Sequence, residues 1–349
     1  MALIHFLNVK QGDCSIIQHN SERITVIDVC NAKEDSKQNR LTESVTASLA
    51  KLDGIMTKAA GSGNFNQKNY PVNPVIYIKD FGIGQVFRFV LTHPDMDHMD
   101  GLKVFWNTFS PTNFWDTENT CSKDGDFEAG SPYNQEDWDF YKELRSRQGP
   151  VDRTRLTLFS GDHGKYWNQN EDGSSGADGL YILAPNRDLV EEANECDEFN
   201  DCSYAILYRT NAGTGRFKIL FGGDSHDATW EHILQAHKAD VTDVDLLVAP
   251  HHGRKSDRCY DFLDVLRPKM TFFGNAASEH LAYGAWSSRK LSYITNNQAG
   301  SMVVYPDSRY SSLDLYVTNE TFARSRTENT FYSETTKGWY VMEIANGRT

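Results

Sequence analysis

The chain has 349 residues, more than the roughly 100–200 of a typical domain, so it is either two domains or one large layered domain with insertions. Its 35 Lys and Arg stand against 48 Asp and Glu, and the net charge of −13 excludes a broad surface that coats DNA through many cation–phosphate contacts. Aromatic residues at 12% can fill a large core, which excludes disorder as the dominant state, and no apolar run approaches the ~18–20 residues needed to cross a bilayer.

The first residues, Met1 to Asp13, lack a basic n-region, and their apolar run is interrupted too soon for a secretory signal. The six Cys show no C-x-x-C spacing, so neither a zinc ribbon nor a disulfide framework is expected, and a reducing cytoplasm is the expected compartment. Ile4–Val9, Ser15–Gln18 and Ile24–Val29 read as short strands bounded by Gly, Asp or Asn. Leu41–Met56, with apolar residues at three- and four-residue spacing, predicts a helix, followed by a polar loop over Gly61–Tyr70. Phe87–Leu91 predicts a buried strand that runs into an acidic, His-containing loop, and Leu102–Phe109 a helix. Asp116–Asp139 carries eight acidic residues and one Lys, and reads as an insertion, a solvated loop in preference to a substrate lid.

After a strand at Leu180–Leu183, Tyr204–Tyr208 and Phe217–Phe221 flank a Gly-containing turn and predict a hairpin. Val244–Val248, Met270–Phe273, Trp286–Ile294 and Met302–Tyr305 continue the alternation of strand and helix. Beyond Asp307 the chain reads as an added hairpin or edge strand, with a final apolar strand at Trp339–Ile344. Two β-rich halves, each with helices, predict an α/β fold: a four-layer αββα sandwich with insertions.

Three strand ends carry the chemistry. His93, Asp95, Asp97 and His98 place four potential ligands within six residues, and imidazole with carboxylate suits Zn²⁺ or Mn²⁺. Asp224 follows Gly222 and Gly223 at the end of a second apolar strand. His251 and His252, before Gly253, end a third. Singly, each has an ordinary explanation, an N-cap for Asp224 or an incidental loop His pair. Together they point to a dinuclear metal site that activates water for hydrolysis. Arg254, Lys255 and Ser256 follow and offer cationic and hydroxyl contacts to a phosphate.

The order His-x-Asp-x-Asp-His, Gly-Gly-Asp, Pro-His-His-Gly resembles the metallo-β-lactamase fold superfamily, in particular the branch typified by the hydrolase domain of the DNA-uptake protein ComEC. Asp95 stands where many superfamily members have a second His, as in that branch. The turn Val9–Asp13, Ile27-Asp28, Asn200–Ser203 and Tyr283-Gly284 are further points of likeness. They span Ile4 to about Tyr305 of a single 1–349 domain, with residues 31–75 and 116–193 as insertions and 307–349 as an extension.

The resemblance implies that His93 and Asp95 hold one of two divalent ions, that Asp97 and His98 hold the other with His252, and that Asp224 bridges them. It implies that Asp28 orients the metal loop by hydrogen bonding, that Asp97 positions the nucleophile and its proton, and that His251 or His280 serves the leaving oxygen. Many superfamily members have another His about two dozen residues before the bridging Asp; here Asn200, Asp201 and Ser203 occupy that region as weaker ligand or supporting candidates. A tight second site and a weaker, exchangeable first site are therefore expected. Ala285 departs from the branch, which commonly has His there.

The implied function is a phosphodiesterase or nuclease acting on DNA or a nucleotide-derived phosphodiester. A partner protein that delivers the substrate fits the acidic net charge, as does an effector role in a competence-like or antiphage defence system. The competing expectations are a carbon-centred hydrolase, such as an esterase, lactonase or β-lactamase-like enzyme, and a non-catalytic metal-binding interaction module.

Overall fold

Apolar side chains alternate along short strands, and that alternation fixes the layers. In the computed structural model, described here for residues 2–60, 63–127, 130–146, 154–255 and 258–346, the strands are β1 (Leu3–Phe6), β2 (Ser15–Gln18), β3 (Ile24–Ile27), β4 (Arg88–Val90), β5 (Asn113–Trp115), β6 (Thr154–Leu156), β7 (Leu180–Ala184) and β8 (Ala205–Ala212). They continue with β9 (Gly215–Phe221), β10 (Leu246–Val248), β11 (Met270–Phe273), β12 (Tyr293–Thr295), β13 (Met302–Asp307), β14 (Ser312–Val317), β15 (Tyr332–Ser333) and β16 (Gly338–Asn346). One sheet runs β15-β16-β14-β13-β1-β2-β3-β4-β5-β6, the other β12-β11-β10-β9-β8-β7.

Between the sheets, Ile4, Phe6, Ile17, Ile27 and Val90 of the first meet Ile206, Ile219, Phe221, Val248 and Phe272 of the second. Their neighbours in sequence face outward. Ile16, Val26 and Phe89 pack under the helices Pro74–Asp80, Leu102–Phe109 and Gln135–Arg145. Leu207, Leu220, Leu247 and Phe273 pack under the helices Asp227–Ala236, Phe262–Leu266 and Tyr283–Ser288. The result is the αββα order that the sequence predicts. No helix among the described residues is long and apolar enough to cross a membrane.

The helix predicted over Leu41–Met56 forms as Lys37–Ala59, with Ser36 accepting from the Asn39 amide at its N-terminus. Its apolar side is not core: Leu41, Val45, Leu49, Leu52, Ile55 and Met56 are 46–61% exposed. The acidic stretch also differs from a solvated loop. Asp116, Asp137, Trp138 and Tyr141 are buried. Asp137 accepts from the amides of Gly101 and Lys103, while Tyr141 and Arg155 bond Asp116. The remainder of the expected insertion supplies β6 and β7, which end one side of each sheet. The final apolar strand, β16, lies one place in from the edge, which β15 occupies.

Strands β3 to β6 and β9 to β12 run parallel within their sheets. Level registers, Ile27 beside Val90 and Phe221 beside Val248, bring the loops after β3, β4, β9 and β10 out at their carboxyl ends. This is where open α/β sheets gather functional groups.

Candidate metal centre

Each strand-end loop is bent so that a side chain turns back toward the others. Asp28, directly after β3, is left-handed at φ 56°, as are His251 (φ 50°) and His252 (φ 56°) after β10. Non-glycine residues hold that conformation at a cost, and such strain concentrates at functional sites. Gly223 (φ +53°) allows the sharp turn before Asp224: an added Cβ would lie 3.0 Å from both Ser203 Cβ and the Tyr204 carbonyl oxygen. Gly12 is equally constrained, since a Cβ there would lie 1.7 Å from the Asp97 carbonyl oxygen.

Around Asp224 the three histidines converge. His98 Nε2 is 3.4 Å from Asp224 Oδ1, and His252 Nε2 is 3.4 Å from Asp224 Oδ2 and 3.5 Å from Asp97 Oδ2. His93 Nε2 lies 3.9 Å from Asp224 Oδ2 and 3.5 Å from Asp95 Oδ2. His93, His98 and Asp224 form one close group, and Asp97, His98 and His252 another. The Nε2 atoms of all three histidines, and Asp224 Oδ1, are buried without a hydrogen-bond partner among the described residues. Orphaned polar atoms cost free energy in a protein interior. Imidazole nitrogens and carboxylate oxygens aimed at one another are the donor set of a divalent cation such as zinc or manganese, so these residues fit a metal pair.

The rings are held from behind. His98 Nδ1 is 2.8 Å from Asp28 Oδ2, and Asp28 also accepts from the Thr92 amide and hydroxyl, each at 2.8 Å. His252 Nδ1 is 3.1 Å from Asp13 Oδ1. Carboxylates at Nδ1 fix the tautomer and leave Nε2 for the metal. Burial disfavours protonation of His98 and His252, yet Asp224 with Asp28 and Asp97, and Asp224 with Asp13, raise the two pKa values well above the usual imidazole range. Conversely, burial would raise Asp224, but His252 and His98 hold it well below the carboxylate range.

His251 is arranged differently. Arg258 Nη2 lies 2.8 Å from its Nδ1 and His226 Nε2 3.1 Å away. A guanidinium can only donate, so Nδ1 accepts and the neutral ring carries its proton on Nε2, which points at Asp224 Oδ2 from 3.7 Å. Burial first, with His252, Arg258 and His226 adding to it, pushes its pKa down to about 4.

Other candidates lie apart from this cluster or support it. Asp95, 37% exposed at its side chain, accepts at Oδ1 from Lys123 Nζ at 2.9 Å. The Asp201 carboxylate accepts from the amides of His226 and Thr229 and from the Thr229 hydroxyl, capping the helix Asp227–Ala236. Ser203 Oγ accepts from the Asp224 amide, and the Asn200 amide group donates to Glu198. His280 is exposed and meets Lys255 only through its backbone carbonyl; Lys255 is exposed as well. Arg254 reaches Gln11. Ser256 lies outside the described residues.

Asp13, Arg258, His226 and Lys123 were given no role from the sequence. Asp13 had a signal, a Gly-Asp turn closing the first strand's loop. Lys123 had none, being a single cation within an acidic stretch.

No family model matches the sequence, and no curated protein matches it. Among solved structures the chain is similar to a diphosphatase from the PhnP family, at 10% identity and a TM-score of 0.34, over 82% of this chain and 81% of that one. It is similar to a β-lactamase from Chitinophaga pinensis at 12% identity and a TM-score of 0.36, over 75% and 84% of the two chains. It is also similar to the metallo-β-lactamase SMB-1 at 11% identity and a TM-score of 0.33, over 71% and 79%. At these values the likenesses say nothing of chemistry, which rests on the side chains themselves.

Proposed function

We propose that the protein is a metal-dependent hydrolase acting on phosphodiesters, in DNA or in a nucleotide-derived molecule. The observation that carries hydrolase chemistry is the set of four buried, unpartnered atoms, on His93, His98, His252 and Asp224, that face one another between strand ends. Bound there, two divalent ions would activate a water and stabilise negative charge on the reacting group. The residues that would hold them are His93, His98, His252, Asp97 and Asp224, each histidine through its free Nε2. Asp97, 21% exposed at its side chain, is the most accessible carboxylate of the close groups and is placed to orient the attacking water and accept its proton.

A phosphodiester is favoured over a carbon centre because cations lie around the same cluster, Arg258 buried behind it and Lys123 and Arg254 nearer its opening. Lys123 touches Asp95, Arg258 touches His251, and Arg254 follows the ligand loop. They match the charge of a transferring phosphoryl group. His251, neutral with its proton on Nε2, is a hydrogen-bond donor to a leaving or non-bridging oxygen. Protein reconstituted with Mn²⁺ or Zn²⁺ should cleave bis-p-nitrophenyl phosphate or single-stranded DNA, and Asp97→Ala should lose at least about a hundredfold in kcat. Two bound ions with no cleavage of these or of duplex DNA, or turnover of nitrocefin or a lactone instead, would sink it.

A further inference from the structure

A cavity of about 480 Å³ opens beside the metal centre, with Lys10, Gln11, Cys30, Lys68, Tyr133 and Asn275 in its walls. Three of these walls are continuous with the ligand scaffold. Gln11 precedes Gly12, whose backbone lies against the Asp97 carbonyl, and Asp13, which holds His252. Asn275 follows Gly274, where an added Cβ would sit 3.0 Å from His252 Cβ. Cys30 Cβ lies 3.0 Å from the same Gly12 position. The cavity therefore borders the Asp97 and His252 side of the cluster.

Its chemistry is divided. Lys10 and Lys68 put two cations into one hollow of a chain whose net charge is −13, and Lys10 is steadied by Asp100 at 3.2 Å. Tyr133, with Pro132, Ala276 and Ala277, offers flat and small apolar surface. Asn275 donates to Asn8 Oδ1 and to the Val9 carbonyl, which fixes this wall to the first strand's loop. Cations for a phosphate and an aromatic face for a base fit a single nucleotide. The volume accommodates a ligand of that size and excludes a duplex.

We propose that this cavity binds one nucleoside unit of the substrate, with its phosphate directed toward Lys10 and Lys68 and its base against Tyr133, so that the adjoining phosphodiester lies at the metal centre. This rests on the phosphodiesterase reading above. Lys68 and Tyr133 come from residues 31–75 and 116–193, outside the strand-end loops that carry His93, His98, Asp224 and His252.

Binding can be separated from turnover by titrating AMP, dTMP and inorganic phosphate into full-length protein stripped of metal with EDTA, followed calorimetrically. The expected result is that the nucleotides bind at least about tenfold more tightly than phosphate, and that Tyr133→Ala and Lys68→Glu each weaken them about tenfold while melting as wild type does. Phosphate binding as tightly as the nucleotides, or both variants binding like wild type, overturns the proposal. Loaded protein that cleaves bis-p-nitrophenyl phosphate but whose metal-free form ignores AMP loses the pocket and keeps the activity. Protein that binds AMP and cleaves no phosphodiester loses the activity and keeps the pocket.

Discussion

Asp13 and Asp28 each hold the Nδ1 of one buried histidine, so His252 and His98 present Nε2 to the same carboxylate, Asp224. Asp28 belongs to none of the close groups of possible ligand atoms, whereas Asp13 also forms one with Asp224 and His252. Asp13→Ala and Asp28→Ala should each cost 10–100-fold in affinity for zinc, read by competition with a chelating dye, with the fold retained by circular dichroism. Unchanged affinity would mean that the rings are held by packing alone. The raised pKa values of His98 and His252 give a second expectation. Without a cation the cluster stores protons that metal must displace, so affinity rises with pH and zinc binding releases protons. Calorimetry in buffers of different ionisation enthalpy measures the release; a buffer-independent enthalpy would refute it. The grouping of His93, His98, His252 and Asp224 was legible from the sequence, because His and Asp fall in short motifs at strand ends. Arg258 and Lys123 were not, because their contacts with His251 and Asp95 arise only when separate loops fold together.

Among the elements, the pair Arg88–Asp178 links β4 of one sheet to the segment that leads into β7, the edge strand of the other. Arg88 on β4 bonds Asp178, just before β7, at 3.2 Å, with side-chain exposures of 1% and 0%. Arg23 adds a contact at 2.7 Å, and Ser21 donates to the same carboxylate. Removing one partner of a buried pair strands the other, so Arg88→Met should destabilise the protein by about 3–5 kcal/mol in urea unfolding. A loss below about 1 kcal/mol would mean that Arg23 alone neutralises Asp178. Burial opposes ionisation of Asp178, but Arg23 and its other partners hold its pKa low. Its contribution is therefore complete above the ordinary carboxylate value of about 3.9 and is lost as pH falls through the lowered one. The longer strands and the hairpin β8–β9 were visible as alternating or continuous apolar runs. The three-residue strands β5 and β6 were not, because unlike the equally short β4 and β10 they do not sit within a longer apolar-rich run. The helix Lys37–Ala59 shows the converse: its periodicity was plain, but periodicity cannot say that the apolar side is left facing outward.

For the whole molecule, the acidic excess is unevenly spread. Asp13, Asp28, Asp97 and Asp224 gather at the buried histidine cluster, while Lys10 and Lys68 line the hollow beside it and Lys123 reaches Asp95 from a mostly acidic segment. A long acidic chain can thus admit a phosphate at one place without attracting nucleic acid over its surface. The contact between Lys123 and Asp95 also implies an order in time. A cation held by Asp97, His98 and His252 would have only protons to displace, whereas one that also took Asp95 as a ligand would compete with the Lys123 ammonium. The first equivalent should load rapidly and the second slowly. In Lys123→Met the slow phase should quicken and the second equivalent bind about tenfold more tightly in stopped-flow uptake with a chelator dye; biphasic loading identical to wild type would remove Lys123 from that role. Lys123 would thus work as a latch, keeping the chain singly charged with metal until the supply is high enough to complete the pair.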